Sequence, residues 1–440
     1  MWDTPLLIGG IVTALAVIDL LSRSRKRSTH LLFGCVLGSL LSWGILLLTQ
    51  AFGAADSIQN PYLLGFAFIV LIIAWKALFG PWETHAKAAI LGTFLFWIAF
   101  HILGKEAAST RLVHLYSMAI GLVPAVLWCV LFLKYHKERI SAVLLLFFSG
   151  MLSTAPILFY DMLVRKGVDL QFFLFRVTPE NFSASSHGFV SGALVGVNGI
   201  QSALFTTLIS FLIVGVIEEV SKYWVLRKSG TSIFTSIDDV FELGIIAAIG
   251  FAYAENVINP SYFGGFIRDF LLNASQPDVL GFISNILGRS VLTSMVHILS
   301  TGVLAYALGL ALFAPSYLSE RQSHGKHYPF LHLVHKLLQV REVSVFRTYI
   351  MLIGLTAAIV LHAMFNFMVT LPDLLPTHPQ SIGELLQLSH NSFWNNIPLL
   401  LVPSMLYVVG GFWFITSLFL RRENAEERGH LETREVFVRG

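Results

Sequence analysis

Five ionisable residues stand in strongly apolar surroundings: Glu218 and Glu219 in GVIEEVSKYW, Glu255 in FAYAENV, His297 in SMVHILST and His362 in LHAMFNF. A charged side chain deep in hydrocarbon costs at least ~2.5–3.5 kcal/mol on insertion scales, so each of these needs a partner or a task. Carboxylates and imidazoles gathered in one apolar bundle are the groups that bind a divalent metal or pass protons to and from water. Lys222 follows Glu219 by three residues and Glu218 by four, so it shares their helical face and neutralises one acid, leaving the other uncompensated. Arg289, Thr293, His297 and Thr301 recur every four residues as one polar stripe, and His362 and Asn366 repeat that spacing on the following apolar segment.

Two hydrolytic arrangements can be built from this set. In one, His297, His362 and a carboxylate, most simply Glu255, bind a metal such as Zn2+ with one position left for water, and Glu218 or Glu219 is the general base. In the other, no metal takes part: a glutamate pair activates water, and a histidine with Asn366 stabilises the oxyanion. Neither HExxH nor GxGD occurs, which excludes the common zincin and presenilin-type patterns. The competing reading of Glu218, Glu219 and Lys222 is an ion-pair patch near the membrane boundary marked by Trp224 and Arg227, and that of a lone intramembrane histidine is a packing residue. Buried Glu and His also serve proton- or metal-coupled transporters, but those show paired repeats, whereas here the polar residues crowd one half of the chain. A non-catalytic membrane receptor or immunity protein is the third reading.

The elements that must position these residues are membrane helices. Of the 440 residues 55% are hydrophobic and 12% charged, and mean hydropathy is +0.72, which is not a soluble composition. The expected fold is all-α, a polytopic transmembrane bundle of about eleven spans near 5–21, 31–50, 62–80, 88–104, 114–134, 141–163, 200–226, 239–258, 283–313, 348–371 and 397–420. The basic residues Arg23 to Arg27 follow the first run rather than precede it, so that run is expected to be retained. The Lys/Arg distribution orients the N-terminus outside and the C-terminus in the cytoplasm. A net charge of +3 with no basic face gives nucleic acid nothing to bind. Cys35 and Cys129 lie in separate apolar segments and are expected as buried free thiols. The stretch from His324 to Lys336 places four histidines in an inner loop that could store metal, and its Tyr328, Phe330 and Leu331 beside Lys326 and Lys336 favour a basic amphipathic segment on the membrane surface.

On the eighth expected span Asp238, Asp239 and Glu242 fit the inner interface and Glu255 lies about 20 Å beyond Glu242, while Glu218 lies about 14 Å from Arg227, so the two acids reach comparable depth. Gly244, Ala248 and Gly250 leave that helix little side-chain bulk and permit close approach to a neighbour. At this point the chain resembles the PrsW-type intramembrane proteases, distantly related to the CAAX-processing and bacteriocin-immunity membrane proteases. Those proteins carry EExxK, FxxxEN, a histidine followed by threonine after three residues, and HxxxN or HxxxD. The matching residues here are Glu218, Glu219 and Lys222; Phe251, Glu255 and Asn256; His297 and Thr301; and His362 and Asn366. The basic Lys134–Arg139 stretch departs from the pattern, which is usually acidic there.

The resemblance spans about residues 114–371. It implies a protease core there, preceded by N-terminal helices (1–113) of unassigned role and followed by a last helix with its outer loop (372–420) and a charged cytoplasmic tail (421–440). It implies an integral protein of a bacterial or archaeal plasma membrane that cleaves a membrane-anchored protein. The catalytic set is then Glu218, Glu219, Glu255, His297, His362 and Asn366, supported by Lys222, Asn256, Arg289 and Thr301.

Overall fold

Within hydrocarbon, backbone amides find no water, so apolar runs of spanning length close their own hydrogen bonds as helices. The computed structural model describes residues 17–18, 26–53, 61–134, 138–165, 170–172, 175–177, 192–194, 200–258, 262–272, 279–323, 328–375, 377–389 and 391–427. Its N-terminal helices are α1 (Arg27–Gly53), α2 (Pro61–Leu78), α3 (Thr84–Lys105) and α4 (Ala108–Leu133). Next come α5 (Ile140–Leu152), α6 (Ala155–Arg165), α7 (Ile200–Gly230), α8 (Ile237–Ile258) and α9 (Phe263–Leu272). Helix α10 (Val279–Gly288) passes through a π-helical turn, Arg289–Thr293, into α11 (Ser294–Leu312). After α12 (Ala314–Ser323), α13 (Pro329–Leu338) and the long α14 (Glu342–Leu374), the segments Leu401–Ser404 and Met405–Gly410 lead into α15 (Gly411–Glu427).

Among the described residues, helices stand at ten of the eleven expected spans, while the first, 5–21, lies almost wholly outside them. Seven stretches among the described residues are long and apolar enough to cross a membrane. The chain is an integral membrane protein of helical-bundle architecture. The expected outer loop 164–198 holds a small antiparallel sheet, with β1 (Leu170–Phe172) paired to β2 (Phe175–Val177) and β2 to β3 (Gly192–Leu194). Only two residues separate β1 from β2, the length of a tight hairpin, and segments this short lack the periodicity that would announce them.

Lipid-facing and protein-facing helices separate by burial. In the Val279–Leu312 span 83% of the most apolar stretch is buried, against 33% in Thr84–Lys105, so α11 is the central helix. It packs on α8 and α14, and α14 packs in turn on α7. Helices α2 to α4 instead expose large apolar side chains such as Phe68, Ile73, Phe100 and Leu127, as a bilayer-facing surface does. Helices α5 and α8 meet backbone to backbone. A Cβ at Gly150 would overlap the Ala247 carbonyl, and one at Gly250 would overlap that of Phe147, so only glycine permits the approach.

The turn before α8 is fixed by reciprocal hydrogen bonds between Asp239 and the Thr235–Ser236 pair. The Ser236 hydroxyl accepts from the Asp239 amide at 3.1 Å, and the Asp239 carboxylate accepts from the Thr235 amide at 2.8 Å. That cap sets the start of the helix that carries Glu255. Both cysteines are free, and neither is fully buried among the described residues: Cys35 on α1 is exposed and Cys129 on α4 half-buried. Helix α13 exposes Phe330, Leu333 and Leu337 while burying Leu331 beside Leu318 and Phe346.

Candidate active site

Glu219 is fully enclosed where α7, α11 and α14 meet, and four donors converge on its carboxylate. Oε1 accepts from Lys222 Nζ at 2.7 Å, His362 Nδ1 at 3.0 Å and the Ser300 hydroxyl at 3.1 Å. Oε2 accepts from the Thr301 hydroxyl at 3.3 Å. A buried carboxylate is tolerated when its lone pairs are met in this way. Lys222 is thus paired mainly with the acid three residues before it, while Glu218, four residues before it, is 3.7 Å away. The lysine also reaches His297 Nδ1 at 3.0 Å and lies 3.9 Å from the centre of the Phe251 ring. One side chain therefore ties α7 to α8 and α11.

Glu218 is left differently. Its Oε2 is buried without a hydrogen-bond partner and stands 3.5 Å from His362 Nε2. Because His362 Nδ1 is engaged by Glu219, its other nitrogen is turned toward Glu218, the arrangement by which an outer carboxylate orients a ligating imidazole. The rings of His297 and His362 meet edge to face at 4.9 Å. Ligand atoms of Glu218, His297 and His362 lie within 4.8 Å of one another. Glu255 stands beside this trio, with its Oε2 2.8 Å from His297 Nε2.

These groups open onto a cavity of about 390 Å³, whose wall includes Glu218, Glu255, His297, His362 and Asn366 together with Phe211, Val214, Phe365 and Val369. Glu219 is not part of that wall. Arg289, Thr293 and His297 all line the cavity, although the intervening π-helical turn alters the four-residue spacing that made them a stripe in sequence. Thr301 turns away from it to Glu219. The Arg289 guanidinium lies 3.0 Å from the centre of the Tyr262 ring and 3.5 Å from Asn256 Oδ1. The described structure thus brings together all ten residues singled out in the sequence. It adds Ser300 and Tyr262, which a serine one helical turn from His297 and an aromatic just past Glu255 announce only weakly.

The motif residues were read as a resemblance, and the site they build is now explicit. A sequence model described as PrsW family intramembrane metalloprotease matches residues 138–388, more than half of the chain. The chain belongs to the PrsW family. The matched residues begin just before α5 and run through α14, so all ten residues named above fall inside them, and α1 to α4 precede them. No curated protein and no solved structure matches the chain.

A PrsW family metalloprotease implies a metal, and the residues present fit one. A buried carboxylate oxygen lacks a hydrogen-bond partner beside two imidazoles at ligating separation. The donor set of two imidazoles and a carboxylate is the one that catalytic zinc sites use. Three carboxylates, when ionised, face one ammonium and one guanidinium here, and a bound cation would offset the remaining negative charge.

Proposed function

We propose that the protein is an endopeptidase that hydrolyses a peptide bond of a membrane-anchored protein within or near its transmembrane segment. The observation that carries this reading is the convergence of Glu218, His297 and His362 on one apolar-walled cavity, with Glu255 beside them. Glu218, His297 and His362 would hold the metal, with zinc favoured by the imidazole-rich donor set. A bound divalent metal supplies Lewis-acid polarisation and lowers the pKa of water.

The remaining work falls to the side chains. Glu255, on the cavity wall and not enclosed by donors as Glu219 is, takes the proton of the attacking water and delivers it to the leaving amine. Asn366 donates its amide N–H to the scissile carbonyl oxygen as charge develops there. Glu219, with Lys222, Ser300 and Thr301, holds the His362 ring in place and is a positioning residue. Arg289 on the Tyr262 ring closes one side of the cavity. This assignment exchanges the roles that the sequence suggested for Glu218 and Glu255, because Glu218 is the acid that converges with both histidines.

The apolar wall suits an extended stretch of a hydrophobic substrate helix. Helix α4 is included in the proposed core because the Tyr253 hydroxyl of α8 donates to its Met118 carbonyl at 3.3 Å. The termini are proposed as N-outside and C-cytoplasmic, in a bacterial or archaeal plasma membrane. The test is reconstitution of the full chain in liposomes with single-span membrane proteins and mass spectrometry of the products. Cleavage in or near the span by wild type, absent in Glu218→Gln and His362→Ala, supports the reading. Equal cleavage by those variants overturns it.

A further inference from the structure

Outside the segment matched by the PrsW family, α1 and α3 bring a second set of metal-type donors together at one end of the bundle. His30 lies in the first turn of α1, and Glu83 and His85 lie at the start of α3. The Glu83 Oε2 atom is 3.6 Å from His30 Nδ1 and 3.4 Å from His85 Nδ1. The two imidazole rings stack at 5.5 Å, and ligand atoms of the three residues lie within 4.8 Å of one another.

Three features make this more than a chance cluster. Glu83 occupies the N-cap of α3, yet its carboxylate makes no capping hydrogen bond and turns to the histidines instead. The Nε2 atom of His85 is buried with no hydrogen-bond partner among the described residues. The helices that carry the donors are held in register by close packing. Gly34 and Gly38 let α1 approach the α3 backbone at Ala86 and Ile90, and Phe33 meets Trp82 edge to face at 5.0 Å.

We infer that His30, Glu83 and His85 form a second divalent-metal site, independent of the proteolytic one, that takes zinc and fastens α1 to α3. Two imidazoles and a carboxylate suit zinc in preference to calcium or magnesium, which take all-oxygen sets. Glu83 has a side chain 64% exposed, so water reaches the fourth position. The site also bears on the protease core. Lys87, one turn into α3, donates to the Ser232 hydroxyl in the α7–α8 turn at 3.3 Å, and a phenyl of Phe148 on α5 packs over Gly92. A metal that fixes α1 on α3 therefore stiffens the platform behind the helices that carry Glu218 and Glu255.

The test is zinc content per chain in full-length protein purified in detergent and dialysed against a low-micromolar zinc buffer. Wild type, His85→Gln, Glu83→Gln and the His297→Ala/His362→Ala double variant are compared. The expected result is one zinc fewer per chain in His85→Gln than in wild type, a loss or weakening of the same zinc in Glu83→Gln, and one zinc retained by the double variant. That retained zinc disappears when His85→Gln is added. Zinc should also raise the melting temperature of wild type more than that of His85→Gln. Equal zinc content in wild type, His85→Gln and Glu83→Gln overturns the inference. Because Glu83 is exposed and caps nothing, Glu83→Gln remains informative if a histidine variant fails to fold. The double variant reports on the proteolytic site alone, so failure of one assignment leaves the other readable.

Discussion

Among the described residues, two clusters bring two histidines and a carboxylate together, and they differ in how far protein surrounds them. Glu218, His297 and His362 are each at most 5% exposed and sit among the helices with the most buried surfaces. His30, Glu83 and His85 lie at helix ends, where Glu83 is open to solvent. In the enclosed set every neighbour is committed: a lysine, two hydroxyls and the second carboxylate all have assigned partners. In the open set Glu83 stands between the two imidazoles, 3.6 Å from His30 and 3.4 Å from His85. Enclosure makes each missing partner costly, which suits groups held for chemistry. Openness makes the cluster replaceable without collapse, which suits a fastening.

The comparison can be broken at several points, from the largest expected effect downward. Glu255→Gln keeps the shape but removes the proposed proton acceptor, so turnover of a reconstituted single-span substrate should fall by about 10²–10⁴-fold with zinc content unchanged. Loss of zinc instead would return Glu255 to the ligand set. Lys222→Met leaves Glu219 buried without its cation, and breaking such a pair costs about 3–5 kcal/mol, visible as a lowered denaturation midpoint in detergent. Asn366→Ala should reduce kcat by about 10²–10³-fold with little change in KM, read from initial rates in liposomes.

Glu219→Gln should weaken zinc binding or activity by about 10–100-fold, the range expected when an orienting partner of a ligand is altered. At the small end, His332→Ala removes the 3.0 Å contact to Glu342 on a largely exposed side chain and should shift stability by less than about 1 kcal/mol. A large loss there would mean that the His332–Glu342 contact anchors α13 to α14.

How much of this was legible in sequence follows from the range of the interactions. The pairing of Lys222 with one acid was readable, because residues three and four apart share a helical face. Which acid it prefers was not, since both spacings are allowed and the choice rests on Ser300, Thr301 and His362 from other helices. Small residues in α8 signalled close packing, and Gly250 fulfils it, but the partner Gly150 on α5 emerges only from the fold. The stripe from Arg289 to Thr301 is interrupted by a π-helical turn that apolar periodicity does not reveal. His30 and His85 are 55 residues apart on separate helices, so no spacing rule joins them.

The central claim is that a metal held by Glu218, His297 and His362 supports cleavage in the membrane. The direct measurement is cleavage of a reconstituted single-span protein before chelation, after chelation and after zinc is restored, in wild type and in Glu218→Gln. The account predicts activity that disappears on chelation and returns with zinc in wild type, and no recovery in Glu218→Gln. Undiminished cleavage by wild-type protein stripped of all metal would contradict it and transfer the chemistry to the carboxylates acting on water alone.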